Sequence, residues 1–440
     1  MLQPYGVSRR WPVKRYSARQ SAHAATLLAQ RAATVSSMAP VPRKVTYRLY
    51  PSRSQDTALS EMLGLHQRLY NAALEQRIAA WRLQRKSLSA YDQMRDLTEL
   101  RADDERYAAL NAQSAQVTLQ RLHLAFSSFF RRCKKGETPG FPRFKAFDRY
   151  SGWVYKHHCD GFRFTPGDGN RHGTLRLSGI GTIPMRGRAR TLGDVKTCEI
   201  AHKAGRWYAS LTLACAPRRN GGTDAFGLDW GVETFATLAH QNGRFSAVEN
   251  PRFFAQMKAK LAAAQRHLAS KAKRSTNRAK ARKIVAALQR KTGNRRRDFL
   301  HQRSAKLIAA TGLIATESLS IKNMTASARG TVEAPGRNVA QKAGLNREIL
   351  ATAPSTFLAM LRYKAAEAGV EFVEVPSRKV KPSQTCSGCG KQRKKPLSQR
   401  QHVCECGLVL SRDRNAARVN LLWALAHTGR EPTGCLAQTA

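Results

Sequence analysis

Apolar positions recur at helical spacing between Ser54 and Arg132, first in Leu59, Met62, Leu63, Leu69, Leu74 and Ile78, then in Val117, Leu119, Leu122, Leu124, Phe126 and Phe129. The spacing predicts three or four amphipathic helices. The pattern breaks at the Gly/Pro-punctuated segment 134–145, and from Trp153 to Leu213 short aromatic and β-branched runs alternate with glycine turns. That rhythm predicts an all-β module closing into a small barrel. A strand-like run, Val45-Thr46-Tyr47-Arg48-Leu49-Tyr50, precedes the helices, so the helical block is read as inserted into the β module. Beyond the linker-like stretch 217–222 the chain changes to alternating strands and helices, opening with Phe226–Val232 and Thr234–His240 as adjoining strands.

Charge sharpens this picture. The 440 residues carry 76 Lys+Arg against 29 Asp+Glu, a formal +47, while 42% are hydrophobic, enough for packed cores. A folded protein with such a surplus is expected to meet an extended polyanion, and a nucleic acid is the natural one. Between Arg252 and Arg303 there are 17 Lys/Arg and a single acid, Asp298, which favours a phosphate-facing surface over an ordinary solvated helix face. From Met1 to Gln55 the chain holds ten Lys/Arg and no acid, and it resembles a transit peptide only superficially; residues 1–42 are read as a basic disordered tail, with an over-extended start as the alternative for 1–37. Uncharged apolar-leaning runs such as Leu307–Thr316 are far too short for a membrane span. Four of nine cysteines are gathered between Cys386 and Cys406, the pattern of a metal site in a reducing compartment rather than a disulfide framework, so a cytoplasmic location is expected.

In a chain so poor in acids, carboxylates with apolar flanks stand out. Asp229 lies within a predicted strand, Glu317 ends the run Leu313-Ile314-Ala315-Thr316, and Asp413 opens a predicted amphipathic helix, 412–422. Hydrolysis of a phosphodiester by two cations about 3.5–4 Å apart needs several converging carboxylates. Magnesium or manganese prefers such hard oxygen ligands. Strand-end acids and one at a helix start meet in this way in the RNase H-like fold. The cysteines read Cys386-x-x-Cys389 and then, across the segment 390–403, Cys404-x-Cys406, with Gly390 and Gly407 directly following the second member of each pair. Four thiolates at that spacing suit a structural, tetrahedral zinc. The second pair is tighter than the usual CxxC, which makes Cys404 the least certain ligand and His402 its substitute.

Gly227-Leu228-Asp229-Trp230-Gly231 with Phe235-Ala236-Thr237, Thr316-Glu317-Ser318-Leu319 with Lys322-Asn323-Met324, Ser383-Gln384-Thr385-Cys386-Ser387-Gly388-Cys389-Gly390, and Arg412-Asp413-Arg414-Asn415-Ala416-Ala417 occur in one order. That order resembles TnpB, the RNA-guided nuclease family encoded by insertion sequences and related to type V CRISPR effectors. Tyr47-Arg48-Leu49-Tyr50-Pro51, Tyr70-Asn71 and Gly140-Phe141-Pro142-Arg143-Phe144-Lys145 look like the N-terminal half of the same family, so the resemblance runs over about 43–426.

The resemblance implies a multidomain α+β protein. A wedge β-barrel (43–53 and 133–217) would carry an inserted helical recognition domain (54–132). An RNase H-like RuvC α/β domain (224–382 and 411–426) would carry an inserted zinc ribbon (383–410) that binds target nucleic acid, with a C-terminal tail at 427–440. It implies Asp229, Glu317 and Asp413 as RuvC ligands for Mg²⁺ or Mn²⁺, and zinc at Cys386, Cys389, Cys404 and Cys406. Tyr47, Tyr70, Asn71, Arg143 and Lys145 become candidates for nucleic-acid contact, and 325–346 for a lid beside the RuvC site. The partners implied are a transposon-derived guide RNA and a double-stranded DNA target with a flanking motif, for a monomer without a membrane. Ser411 departs from the family, where an acid commonly stands. A nuclease-dead RNA-guided repressor would be expected to lack one of the three acids, a compact CRISPR effector to carry repeat-derived guides, and a strand-transferring transposase to lack the zinc ribbon.

Overall fold

The computed structural model describes residues 40–167, 173–186, 193–217, 219–331, 333–396 and 398–430. Most of the predicted basic tail therefore lies outside the described residues, although the first strand begins inside it, at Val41. The described residues divide into two compact units, one within 40–216 and one within 217–430.

The first unit is a sheet with a helical insertion. Its strands are β1 (Val41–Leu49), β2 (Gly152–Tyr155), β3 (Phe162–Thr165), β4 (Thr174–Leu177), β5 (Gly181–Arg186), β6 (Asp194–Lys203) and β7 (Arg206–Cys215). They pair antiparallel in the order β2-β6-β7-β1-β5-β4-β3. Because β2 and β3 each lack a second neighbour among the described residues, the sheet is an open half-barrel, not the closed barrel expected from the strand rhythm. Between β1 and β2 come helices α1 (Arg53–Gln84), α2 (Ala90–Asp103), the single turn α3 (Glu105–Ala108) and α4 (Ala112–Lys134). A capping box of Ser52 and Gln55 starts α1, whose Leu59, Leu63, Leu69 and Leu74 are buried at helical spacing. Polar groups help join the helices to the sheet. His66, fully buried, shares a 2.9 Å hydrogen bond with Thr118 of α4 and stacks on Trp153 of β2. Burial pushes its pKa down to about 3, so the ring is neutral.

The second unit is built on a five-stranded sheet. Strands β8 (Asp224–Trp230), β9 (Thr234–His240), β10 (Phe245–Glu249), β11 (Thr311–Glu317) and β12 (Glu371–Val375) lie in the order β10-β9-β8-β11-β12. The first three pair antiparallel; β8, β11 and β12 pair in parallel. This is the mixed order of an RNase H-like sheet. Strand alternation sorts the two faces. Phe226, Leu228 and Ile314 join Phe357 and Leu361 of α9 (Pro354–Ala368), whereas Ala225, Leu313 and Ala315 join Ala417, Leu421 and Leu425 of α11 (Arg412–Thr428). Helix α11 lies so close that a Cβ on Gly227 would sit 2.0 Å from the Ala417 carbonyl oxygen, so only glycine fits there.

The basic stretch forms a helical hairpin of α5 (Phe253–Ala269) and α6 (Thr276–Ala310), and α6 leads back into β11. Its end is buried through Leu300, Ser304, Leu307 and Ile308, while Lys280, Lys283, Lys291, Arg295 and Arg297 are exposed. The short α7 (Ile321–Met324) and α8 (Val339–Thr352) bracket the predicted lid, so its last part, from Val339 on, is helical rather than loop. Lys342 donates to the Met324 carbonyl and Asn346 to that of Thr325, fastening the two ends together. After β12 and the single turn α10 (Ser377–Val380) comes the cysteine segment with its hairpin, β13 (Gln401–Val403) and β14 (Val409–Ser411). Helix α11 runs just into the predicted C-terminal tail and stops at Gly429, in the left-handed conformation.

Candidate functional site

Asp229 is the penultimate residue of β8 and Glu317 the last of β11. The parallel register, with Ala315 opposite Gly227 and Thr316 opposite Leu228, carries both to the same sheet edge. Asp413 occupies the second position of α11, where Ser411 accepts a 3.3 Å bond from the Arg414 amide as N-cap. The departure at Ser411 thus has a structural use: a hydroxyl caps the helix that presents Asp413. Helix α11 is held against β8 by the Gly227 contact and by Asn420, whose Nδ2 donates to the Leu228 carbonyl at 3.0 Å.

Crowding leaves an electrostatic mark. Burial first, then the Glu317 and Asp413 charges, hold the Asp229 carboxyl well above the usual carboxylate range, with Arg412 opposing. Burial raises Glu317 as well. A buried carboxyl beside two further carboxylates is poised for a cation, because a divalent ion converts the repulsion into ligation. The donor set is all hard oxygen, which suits Mg²⁺ or Mn²⁺. Among the described residues the three carboxylates do not close into one tight ligand cluster.

The four cysteines do close. Their Sγ atoms lie within 4.8 Å of one another, with Cys386–Cys406 and Cys389–Cys404 each at 3.6 Å. Sulfurs about 2.3 Å from a tetrahedral zinc would be about 3.8 Å apart, so the residues fit that ion. The CxC spacing is accommodated by a tight turn: the Gly407 amide donates to the Cys404 carbonyl at 3.0 Å, and Gly407 takes φ 85°. Cys404 is therefore in the set. His402 is not: it is buried against Lys395, whose ammonium contacts its Nδ1. Burial pushes the Cys386 thiol up to about 12, which leaves it protonated unless a cation draws off the proton.

Asn415, two positions beyond Asp413, ties the two places together. Its Oδ1 accepts from the Ser387 amide at 3.0 Å and its Nδ2 donates to the Thr385 carbonyl at 2.7 Å. Sequence reasoning missed Asn415 and Asn420 as positioning residues. Their signal was present: asparagines on the buried face of an otherwise apolar helix need partners.

The five candidates for nucleic-acid contact divide. Tyr47 and Tyr70 are core residues, 5% exposed, packed near Phe164 and Tyr150 respectively. Asn71 is a strut, exchanging 3.0 and 2.9 Å bonds with the backbone of Lys145. Of the five, Arg143 is exposed and Lys145 half-buried, so these two have side chains within reach of a ligand.

A family described as probable transposase, of the OrfB/IS605 group, matches residues 202–328, and the Cas12f1-like TNB domain matches 355–420. A putative RNA-guided DNA endonuclease of Streptomyces pristinaespiralis is 32% identical over 401 residues, 88% of this chain and 91% of that protein. The chain belongs to the TnpB family. It is an endonuclease related to type V effectors. A second relative, the putative RNA-guided DNA endonuclease InsQ of Escherichia coli (strain K12), is 31% identical over 348 residues, 75% of this chain and 81% of that one. Among solved structures, the Cas12f1 chain of an sgRNA–target DNA complex matches with a TM-score of 0.57 at 12% identity, over 87% of this chain and 99% of that chain, a likeness of fold. A helix-turn-helix family of the same IS605 group matches 38–86, yet those residues form β1 and the single continuous helix α1. Among the described residues no helix is long and apolar enough to cross a membrane.

Proposed function

We propose that this TnpB-family chain is an RNA-guided DNA endonuclease. It binds a transposon-derived guide RNA, recognises a short motif beside its DNA target, and cuts with one RuvC-type site at which Asp229, Glu317 and Asp413 hold Mg²⁺ or Mn²⁺. What supports the reading is that Asp229 and Glu317 end neighbouring strands of an RNase H-like sheet and that the Asp413 charge reaches Asp229, in a chain of net charge +47. Bound divalent ions would activate water and stabilise the leaving oxygen. The three acids would fix the ions, and Arg412 lies near enough to lower the charge burden on Asp229. Zinc at Cys386, Cys389, Cys404 and Cys406 is structural, because four thiolates leave no open position.

The basic surfaces supply binding and base pairing supplies sequence choice. All three acids stand in place, which argues against a nuclease-dead repressor. The protein should purify with a structured RNA and cleave DNA matched to it. Cleavage that persists equally after nuclease treatment and a high-salt wash would overturn guide dependence. Repeat-derived sequences in the bound RNA would move the reading to a compact CRISPR effector.

A further inference from the structure

Between α4 and β2 the chain crosses a segment whose three phenylalanines stay largely outside the core. Phe141, Phe144 and Phe147 are 47%, 54% and 48% exposed, although Pro142 and Tyr150 beside them are buried. A phenyl ring left half in water forgoes hydrophobic stabilisation, so three of them in so short a stretch call for a ligand that covers them. The rings are not loose. Phe141 meets Phe126 and Phe129 of α4 edge-on at 5.5 and 5.3 Å. Phe147 lies over α1 at Gly64, where a Cβ would come within 3.6 Å of its ring. Between them the backbone of Lys145 is clamped by Asn71, and its carbonyl also accepts from Gln67 at 2.5 Å. Phe144 is thus displayed from a fixed backbone, flanked by Arg143 and Lys145.

The charge around these rings selects the ligand. Residues 131–149 include Arg131, Arg132, Lys134, Lys135, Arg143, Lys145 and Arg149 against Glu137 and Asp148. An apolar protein partner has no use for that surplus, and a duplex offers phosphates but no free base faces. Rigid aromatic rings interleaved with cations fit a strand that presents both. We propose that Phe144 and Phe147 form a stacking platform for an unpaired stretch of nucleic acid, with Arg143 and Lys145 on its phosphates. The inference deepens the function proposed above by assigning a contact to the strand, and Asn71 becomes the residue that positions the platform.

The test uses the full chain freed of nucleic acid by high salt, with fluorescein-labelled 15-nucleotide oligo(U), oligo(dT) and a blunt DNA duplex as probes. Phe144→Leu, which keeps an apolar side chain but removes the ring, should weaken single-strand binding about tenfold. Duplex binding should be unchanged, and Phe144→Trp should restore the wild-type affinity. Asn71→Ala, which keeps both rings and frees the loop, should give a smaller loss of the same kind. A larger effect on oligo(U) assigns the platform to RNA, and on oligo(dT) to a displaced DNA strand. If Phe144→Leu/Phe147→Leu binds both strands like wild type, the proposal is overturned. It is equally overturned if that variant changes only self-association in sedimentation, since the surface then belongs to a second copy. The assay needs neither guide nor cleavage, so failure of guide dependence reads out separately, in the RNA that copurifies.

Discussion

The acid rim and the cysteine cluster share helix α11 as a neighbour and are made by opposite routes. Asp229, Glu317 and Asp413 come from three elements far apart in sequence and meet only when β8 and β11 have paired and α11 has settled on Gly227. Two apolar clusters, one on each face of the sheet, do that positioning. The four cysteines all lie between Cys386 and Cys406, on two turns and a short hairpin, and of their segment few apolar side chains are buried. The packing that gathers the acids needs no cation; the cysteine segment, with so little core, is expected to depend on a cation for its shape. A preformed site can lose a ligand and keep its architecture, whereas a cluster that lacks a core cannot.

The largest expected effect breaks the chemistry and spares the fold. Asp229→Ala, Glu317→Ala and Asp413→Ala should each reduce cleavage of both strands by roughly a thousandfold or more. Guide and target binding should stay near wild type, and the variants should remain folded. A double variant should resemble a single one, because the ligands act as a unit. Normal cleavage by Asp413→Ala would remove the helix-borne acid from the site and leave the sheet edge alone as the candidate. Calcium should support binding and not cleavage.

The next effect is on order rather than chemistry. Metal analysis should give one zinc per chain, and Cys386→Ser should release it together with the protection of 383–410 in hydrogen exchange. Some of that loss should reach α11 through Asn415, which holds the Thr385 and Ser387 backbone. Sequence spacing singles out Cys404 as the weakest ligand, whereas the geometry gives two equivalent sulfur pairs. Cys404→Ser and Cys406→Ser should therefore cost alike. A milder Cys404→Ser would return the site to the spacing argument, and zinc retained by Cys386→Ser would break the comparison itself.

The same contrast explains what was legible in the chain. The inserted helices were readable because Leu59, Leu63, Leu69 and Leu74 mark one face; Asp229 singly reads as a cap or a surface pair, and only its order and context with Glu317 and Asp413 make it a candidate. Gly227 could be read as a motif member but not as a contact, since the Ala417 carbonyl that excludes a Cβ belongs to a distant part of the sequence. The barrel was overread: strand count and turn rhythm do not encode whether β2 and β3 meet, which depends on accumulated twist. Tyr47 and Tyr70 were singled out for their motifs, which do not tell that both rings are packed in the core. His402 lost to Cys404 for a local reason, a left-handed glycine that closes the shorter loop.

The smallest expected effect sharpens the difference in how the two sites hold protons. Asp229 and Glu317 have raised carboxyl pKa values in the metal-free fold, by burial and, for Asp229, by the neighbouring charges. The folded state then holds protons that the unfolded chain gives up. Their contribution to stability is present below the ordinary carboxylate pKa and is lost as pH rises through the folded values. Metal-free protein should melt lower at pH 8 than at pH 5.5 by a component that Asp229→Asn, which cannot ionise, removes. His66 works in the other direction within the other unit, since its lowered pKa costs stability on acidification, so the difference between wild type and Asp229→Asn is the quantity to read. Mg²⁺ binds the ionised carboxylates, so the rise in melting temperature that it produces should grow with pH over the interval in which the metal-free protein weakens. A magnesium effect equal at both pH values, or unchanged in Asp229→Asn, would mean that the ion is held elsewhere and that the rim carries its repulsion for another purpose.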